Sequence, residues 1–162
     1  DEVYVMNADG LNVRRLTNDP SDDANMTWSP DGTRIAWETN RQGDFDIWIM
    51  NADGSNPTGL TVDPADDGWP TWSPDGTKIA FDSGRDGNWD IYVINVDGTG
   101  LTNLTNDPGF DSAAAWSKDG SKIAFISDRD GGVDIWVMDA DGSNPMNLTN
   151  DGLADFFPSW SP

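Results

Sequence analysis

The sequence predicts an all-β fold assembled from repeated four-stranded sheets. Three observations predict it: a motif that returns every 44 residues, turn-forming residues that cut each repeat into short strands, and strands that are apolar on both faces. Trp28, Trp72, Trp116 and Trp160 mark the period, and Thr17, Thr61, Thr105 and Thr149 keep it. So do Arg41, Arg85 and Arg129, and likewise Asp46, Asp90 and Asp134, with Glu2 in the matching place. Self-similarity of this length belongs to stacked or circular repeats, and four short strands in about 40–45 residues make the pattern of a propeller blade.

One repeat shows the strands in order. A first strand ends at "TWS" and is followed by a Pro-Asp-Gly turn; "TRIAWET" then runs on as β-branched and aromatic strand material. The turn "NRQGD" leads into "FDIWIMN", and "ADGSNP" turns the chain again into "TGLTVD". Each turn holds the Gly, Asp or Asn that tight connections favour, because these residues tolerate positive φ or bond their own backbone. Helical periodicity is absent from the repeat.

In "DIWIM", Ile47 and Ile49 fall on one face and Trp48 and Met50 on the other. A strand apolar on both faces must be covered on both, as happens when blades pack face to face around an axis. The repeated Trp is accordingly expected to wedge between neighbouring blades, each contributing roughly 2–3 kcal/mol of apolar burial. The Asp-Gly of "SPDG" builds the turn.

The run W-S-P-D-G-x-[KR]-I-A-[FW], then R-x-G or R-D-G, then D-I-[WY]-[VI]-[MI]-[ND]-x-D-G, resembles the repeat of TolB-type β-propellers, relatives of the WD-repeat propellers. The resemblance spans the chain. It implies that the Trp strand is innermost and that the next three run outward. Such blades occur in periplasmic envelope proteins, in surface proteins and as non-catalytic domains of peptidases, so the resemblance fixes the blade more tightly than the function. The expected organisation is one propeller domain or propeller segment over 1–162, with units 1–30 (partial), 31–74, 75–118 and 119–162. The partial unit lacks the counterpart of residues 31–44, so ring completion by a second copy or by further blades is expected.

Nine basic residues stand against 29 acidic ones, a formal charge of −20. Nucleic acid and anionic membrane surfaces both demand a basic footprint, so neither is an expected partner. No apolar stretch approaches the roughly 20 residues of a membrane span, and no insertion is expected. Cys and His are both absent. Without His the commonest general base and transition-metal ligand is missing, and the chain has no Gly-x-Ser-x-Gly elbow or phosphate loop. A non-enzymatic role is expected.

Four groups of residues are candidates for more than scaffolding. Asp23, Asp67, Asp111 and Asp155 each lie five residues before the repeated Trp. If the Trp strand is innermost, they converge at one mouth of the axial channel, where Ca2+, a hard cation needing only oxygen ligands, would relieve their repulsion; the other reading is that each caps its own local turn. Arg41, Arg85 and Arg129 are expected to pair with Asp46, Asp90 and Asp134 across a hairpin connection. Trp69, Phe110, Phe156 and Phe157 break the repeat in the segment leading to the inner strand, as a peptide or sugar platform or as cover for a blade top.

Together these readings give a scaffold that binds a protein partner or assembles with copies of itself, secreted, periplasmic or on the cell surface, with calcium stabilisation as one open option. Two alternatives accompany it: the non-catalytic propeller portion of a larger hydrolase or peptidase, and a glycan-binding module.

Overall fold

A computed structural model describes residues 1–161; Pro162, the end of the last "WSP", lies outside the described residues. Its strands form three four-stranded antiparallel sheets and one two-stranded piece. The piece pairs β1 (Tyr4–Val5) with β2 (Arg14–Arg15). The first full blade runs β3 (Asp23–Trp28), β4 (Arg34–Thr39), β5 (Asp46–Asn51), β6 (Thr58–Gly59). The second runs β7 (Asp67–Trp72), β8 (Lys78–Ser83), β9 (Asp90–Asn95), β10 (Thr102–Asn103), and the third β11 (Asp111–Trp116), β12 (Lys122–Ser127), β13 (Asp134–Asp139), β14 (Met146–Asn147). Strand order follows the chain in every blade, as a meander of hairpins requires. No described residue is helical, so no helix is long and apolar enough to cross a membrane.

The blade starts at the Trp strand, so the sequence units 31–74 and 75–118 each straddle two sheets. The outermost strand is shorter than "TGLTVD" suggests, since only Thr58 and Gly59 join the ladder. Thr61, beyond it, still holds the third strand: its amide donates to Ile47 O at 3.2 Å and its Oγ1 accepts from the Ile47 amide at 2.9 Å.

The core lies between sheets rather than within one. Ala36 and Ile47 of the first blade meet Trp72, Ile79, Phe81, Tyr92 and Ile94 of the second. Ala80, Ile91, Val93 and Leu104 of the second meet Ile123, Phe125, Trp136 and Met138 of the third. The other face of the first blade, with Ile35, Trp37 and Met50, buries Val3 of the N-terminal piece, with Val5 and Leu16 packed alongside. Both faces of "DIWIM" are thus used, one toward each neighbour, and the result is a propeller-like succession of blades.

The "SPDG" turn is held by its own polar atoms. Asp31 accepts from Ser29 Oγ at 2.6 Å and from the Thr33 amide at 3.0 Å, while Gly32 takes φ +68°. These hydrogen bonds hold the Asp31 carboxyl down to about 2, and those at Asp119 in the third blade do the same.

Candidate functional site

Each inner strand is interrupted by a β-bulge, between Ala24 and Thr27, between Gly68 and Thr71, and between Ser112 and Ala115. At each bulge one non-glycine residue adopts left-handed backbone: Asn25 at φ 48°, Trp69 at 53°, Ala113 at 58°, with Phe157 at 57° in the same repeat position of the C-terminal segment. This conformation crowds Cβ against the backbone and costs on the order of 1–2 kcal/mol per residue, so something must hold it.

At Trp69 and Ala113 the holder is a carboxylate from the second strand of the preceding blade. The Trp69 amide donates to Glu38 Oε2 at 2.9 Å, and Glu38 Oε1 accepts from Asn25 Nδ2 at 2.8 Å. One blade on, the Ala113 amide donates to Asp82 Oδ2 at 3.2 Å, and Ser112 Oγ donates to the same oxygen. The approach is close enough that a Cβ on Gly68 would sit 2.8 Å from Glu38 Oε2, which explains glycine there. Glu38 and Asp82 share a repeat position with Ile126 and are absent from the sequence-based candidates. Their signal was a polar residue inside an otherwise apolar second strand.

The bulge residues line a pocket of about 290 Å³ with Met26, Pro70 and Pro158 among its walls. Trp69 and Phe157 pack against each other in its wall, ring centroids 6.1 Å apart and planes at 39°. Phe156 lies beside Phe157 at 6.3 Å. All three are exposed, Trp69 at 47%, Phe156 at 55% and Phe157 at 71%. Phe110, expected with them, precedes its bulge by three residues and does not line the pocket.

Asp82 is 1% exposed and its Oδ1 has no hydrogen-bond partner. Burial pushes its carboxyl up to about 7, against the pull of Ser112 and the Ala113 amide. The folded chain then binds this proton more tightly than the unfolded chain, so the Asp82 contribution favours folding at low pH and is lost as pH rises from about 4 to 7. Asp82→Asn keeps an acceptor for Ala113 and removes the charge. Its melting temperature is expected to fall less than that of the parent between pH 5 and 8; parallel curves would show that Asp82 does not titrate there.

Asp23, Asp67 and Asp111 are not brought together at a mouth. Each is fully buried within its own blade, against a guanidinium: Arg41 lies 3.2 Å from Asp23, Arg85 2.7 Å from Asp67 and Arg129 2.9 Å from Asp111. Asp155, at the equivalent position, has a buried Oδ2 without a partner. Among the described residues no group of three or more metal-ligating side chains lies close enough to hold a metal ion.

The expected pairing of Arg41, Arg85 and Arg129 with Asp46, Asp90 and Asp134 is therefore corrected. Thr39 stands in register between Asp23 and Asp46, so both carboxylates flank the arginine's hairpin. Asp46 is engaged by the outermost strand, accepting from Thr61 Oγ1 at 3.3 Å and the Asp63 amide at 3.2 Å. Asp90 and Asp134 hold Thr105 and Thr149 in the same way, at 3.0 and 3.4 Å. The arginines turn inward and lie over two rings of their own blade, Arg41 over Trp37 and Trp48 at 5.4 and 4.5 Å.

Of the repeated Trp residues, Trp72 and Trp160 reach across to the preceding blade, while Trp116 is half-buried with an indole Nε1 that has no partner. Trp72 is 6% exposed and its Nε1 donates to Thr27 O of the first blade at 3.3 Å. Trp160 repeats that bond on Ala115 O at 2.9 Å. The Asp155 amide donates to Val133 O as the Asp67 amide does to Phe45 O. Residues 155–160 thus trace an inner strand, although they form no ladder.

The family model described as the TolB beta propeller domain matches residues 64–162. The chain belongs to that family. The putative TolB from Agrobacterium tumefaciens superposes on this TolB-type chain with a TM-score of 0.80 at 31% identity, over 90% of this chain and 55% of that one. TolB from Acinetobacter baumannii superposes with a TM-score of 0.86 at 24% identity, over 98% of this chain and 40% of that one. The chain therefore spans about half the length of these TolB structures. Puromycin hydrolase shares the fold, with a TM-score of 0.77 at 16% identity over 92% of this chain and 25% of that one. No curated protein matches the sequence significantly.

Proposed function

We propose that this TolB-type chain is a non-enzymatic binding scaffold that presents its axial pocket to an extended segment of a protein partner, in the periplasm or outside the cell. One observation carries the reading. Along four equivalent positions the backbone adopts the same costly conformation, yet the side chains are Asn25, Trp69, Ala113 and Phe157, different at every one. Scaffold positions in this chain repeat; these do not, and two of them place exposed aromatic rings around one pocket. Exposed aromatic anchors beside a concave site are what peptide recognition uses.

A related fold seen in a nidogen/laminin complex, with a TM-score of 0.72 at 14% identity, supports protein binding as a use of such blades. The hydrolase likeness supports a second reading, in which the same pocket guides substrate to a catalytic domain. Trp28 and Trp160 stand 50% and 40% exposed where Trp72 is buried, and we take further blades, from a second copy or additional chain, to cover them.

Selection from a random peptide display library, with the chain immobilised, tests the reading. Enriched peptides are expected to lose binding at least about tenfold, roughly 1.4 kcal/mol, on Trp69→Ala or Phe157→Ala. Retention of binding by both variants, or enrichment only of glycans on a parallel array, would overturn it.

A further inference from the structure

The arginines inside the blades show what this chain builds around a cation. Arg41 lies over Trp37 and Trp48, whose centroids are 6.3 Å apart at 51°, with the Asp23 carboxylate 3.2 Å away. Arg85 lies over Phe81 and Tyr92, 5.9 Å apart at 30°, with Asp67 at 2.7 Å. Two tilted rings about 6 Å apart and a carboxylate form the recurring receptor. Its physics is the attraction of a cation to ring quadrupoles, reinforced by a nearby anion.

The axial pocket has the same parts without the cation. Trp69 and Phe157 are 6.1 Å apart at 39°, inside the range of the two internal receptors. Glu38 reaches the wall from behind through the Trp69 amide and the Asn25 side chain, and Asp82 through the Ala113 amide. Neither carboxylate has a Lys or Arg partner among the described residues, and neither does any basic residue line the pocket. One oxygen of Asp82, 1% exposed, has no partner of any kind. The chain as a whole carries −20, so the field at the pocket favours a positive group.

We infer that the axial pocket takes a basic side chain, Arg or Lys, presented by the partner protein and held over Trp69 and Phe157, with Glu38 supplying the opposing charge. This rests on the reading of the pocket as a partner site and adds the chemistry of the group that enters it.

Two synthetic peptides test it, acetylated and amidated Gly-Ser-Arg-Ser-Gly and its Gly-Ser-Gln-Ser-Gly counterpart, titrated into the whole chain while the Trp69 indole N–H is followed by NMR. The Arg peptide is expected to bind about tenfold more tightly than the Gln peptide, and to lose most of that advantage between about 20 and about 300 mM salt. The advantage is also expected to vanish in Phe157→Leu, an exposed position whose change leaves the fold intact, and to shrink in Glu38→Gln, which retains an acceptor for the Trp69 amide. Equal affinity for the two peptides would overturn the charge preference and leave the peptide-binding reading standing. A charge preference indifferent to both substitutions would place the cation elsewhere on the acidic surface and overturn the inference. If neither peptide moves the Trp69 resonance, the inference and the reading beneath it both fall.

Discussion

Trp72→Ala is expected to destabilise the chain by about 3–5 kcal/mol, the range for removing a buried aromatic side chain, and Trp28→Ala by far less. Both residues open the same "WSPDG" motif, and a role confined to one sheet would make them equivalent. Their surroundings differ instead. Trp72 is 6% exposed among Ala36, Ile47 and the apolar residues of its own blade, and it donates across the interface to Thr27 O. Trp28 occupies the same place on the first blade and is 50% exposed. Paired urea titrations with a common slope decide the matter. Similar losses for the two variants would mean that Trp72 stabilises its own sheet and that blade-on-blade burial has been overvalued.

Arg85→Met is expected to cost a similar amount, about 3–5 kcal/mol, because it strands a carboxylate the fold has taken out of water. Asp67 is 0% exposed and accepts from Arg85 Nη2 at 2.9 and 2.7 Å through its two oxygens. Arg85 Nε also donates to Ser83 Oγ at 2.8 Å. The guanidinium lies over Phe81 and Tyr92 at 5.7 and 4.9 Å, so some packing is lost with it as well. Methionine restores part of that volume but none of the charge. Adding Asp67→Asn to Arg85→Met is expected to recover at least about half of the loss, a coupling that a double-mutant cycle measures directly. An Arg85→Met chain as stable as the parent would show the pair to be dispensable.

The blade was readable from the sequence because every constraint on it is local or periodic. Turn chemistry at "SPDG" and "ADGSN", alternation in "DIWIM" and the 44-residue period each point to the same antiparallel sheet covered on both sides. The partner of Arg41 was not readable, since Asp23 and Asp46 recur at fixed distances from it and both stand next to Thr39. Only the ladder, and the engagement of Asp46 by Thr61, separates them.

The candidate site was half readable for a related reason. Trp69 and Phe157 drew notice as departures from the repeat, and the structure brings them into contact. Phe110 departs too, but it sits before the bulge rather than in it, as its repeat position, shared with Asp22 and Asp66, already separates it from Trp69. Glu38 and Asp82 are also departures, opposite Ile126, in a strand whose apolar character masked them. Their role depends on a contact with the following blade, which a single repeat cannot contain.

The left-handed residue in each bulge separates what the architecture dictates from what it leaves open. At Trp69 and Ala113 its backbone is anchored from behind, while the Trp69 and Phe157 side chains stand exposed. Randomising codons 69 and 157 would therefore rewrite the chemistry of the pocket without disturbing the sheets, with Asn and Gly favoured by their tolerance of that conformation. A lineage of such proteins can change what it grips one letter per blade.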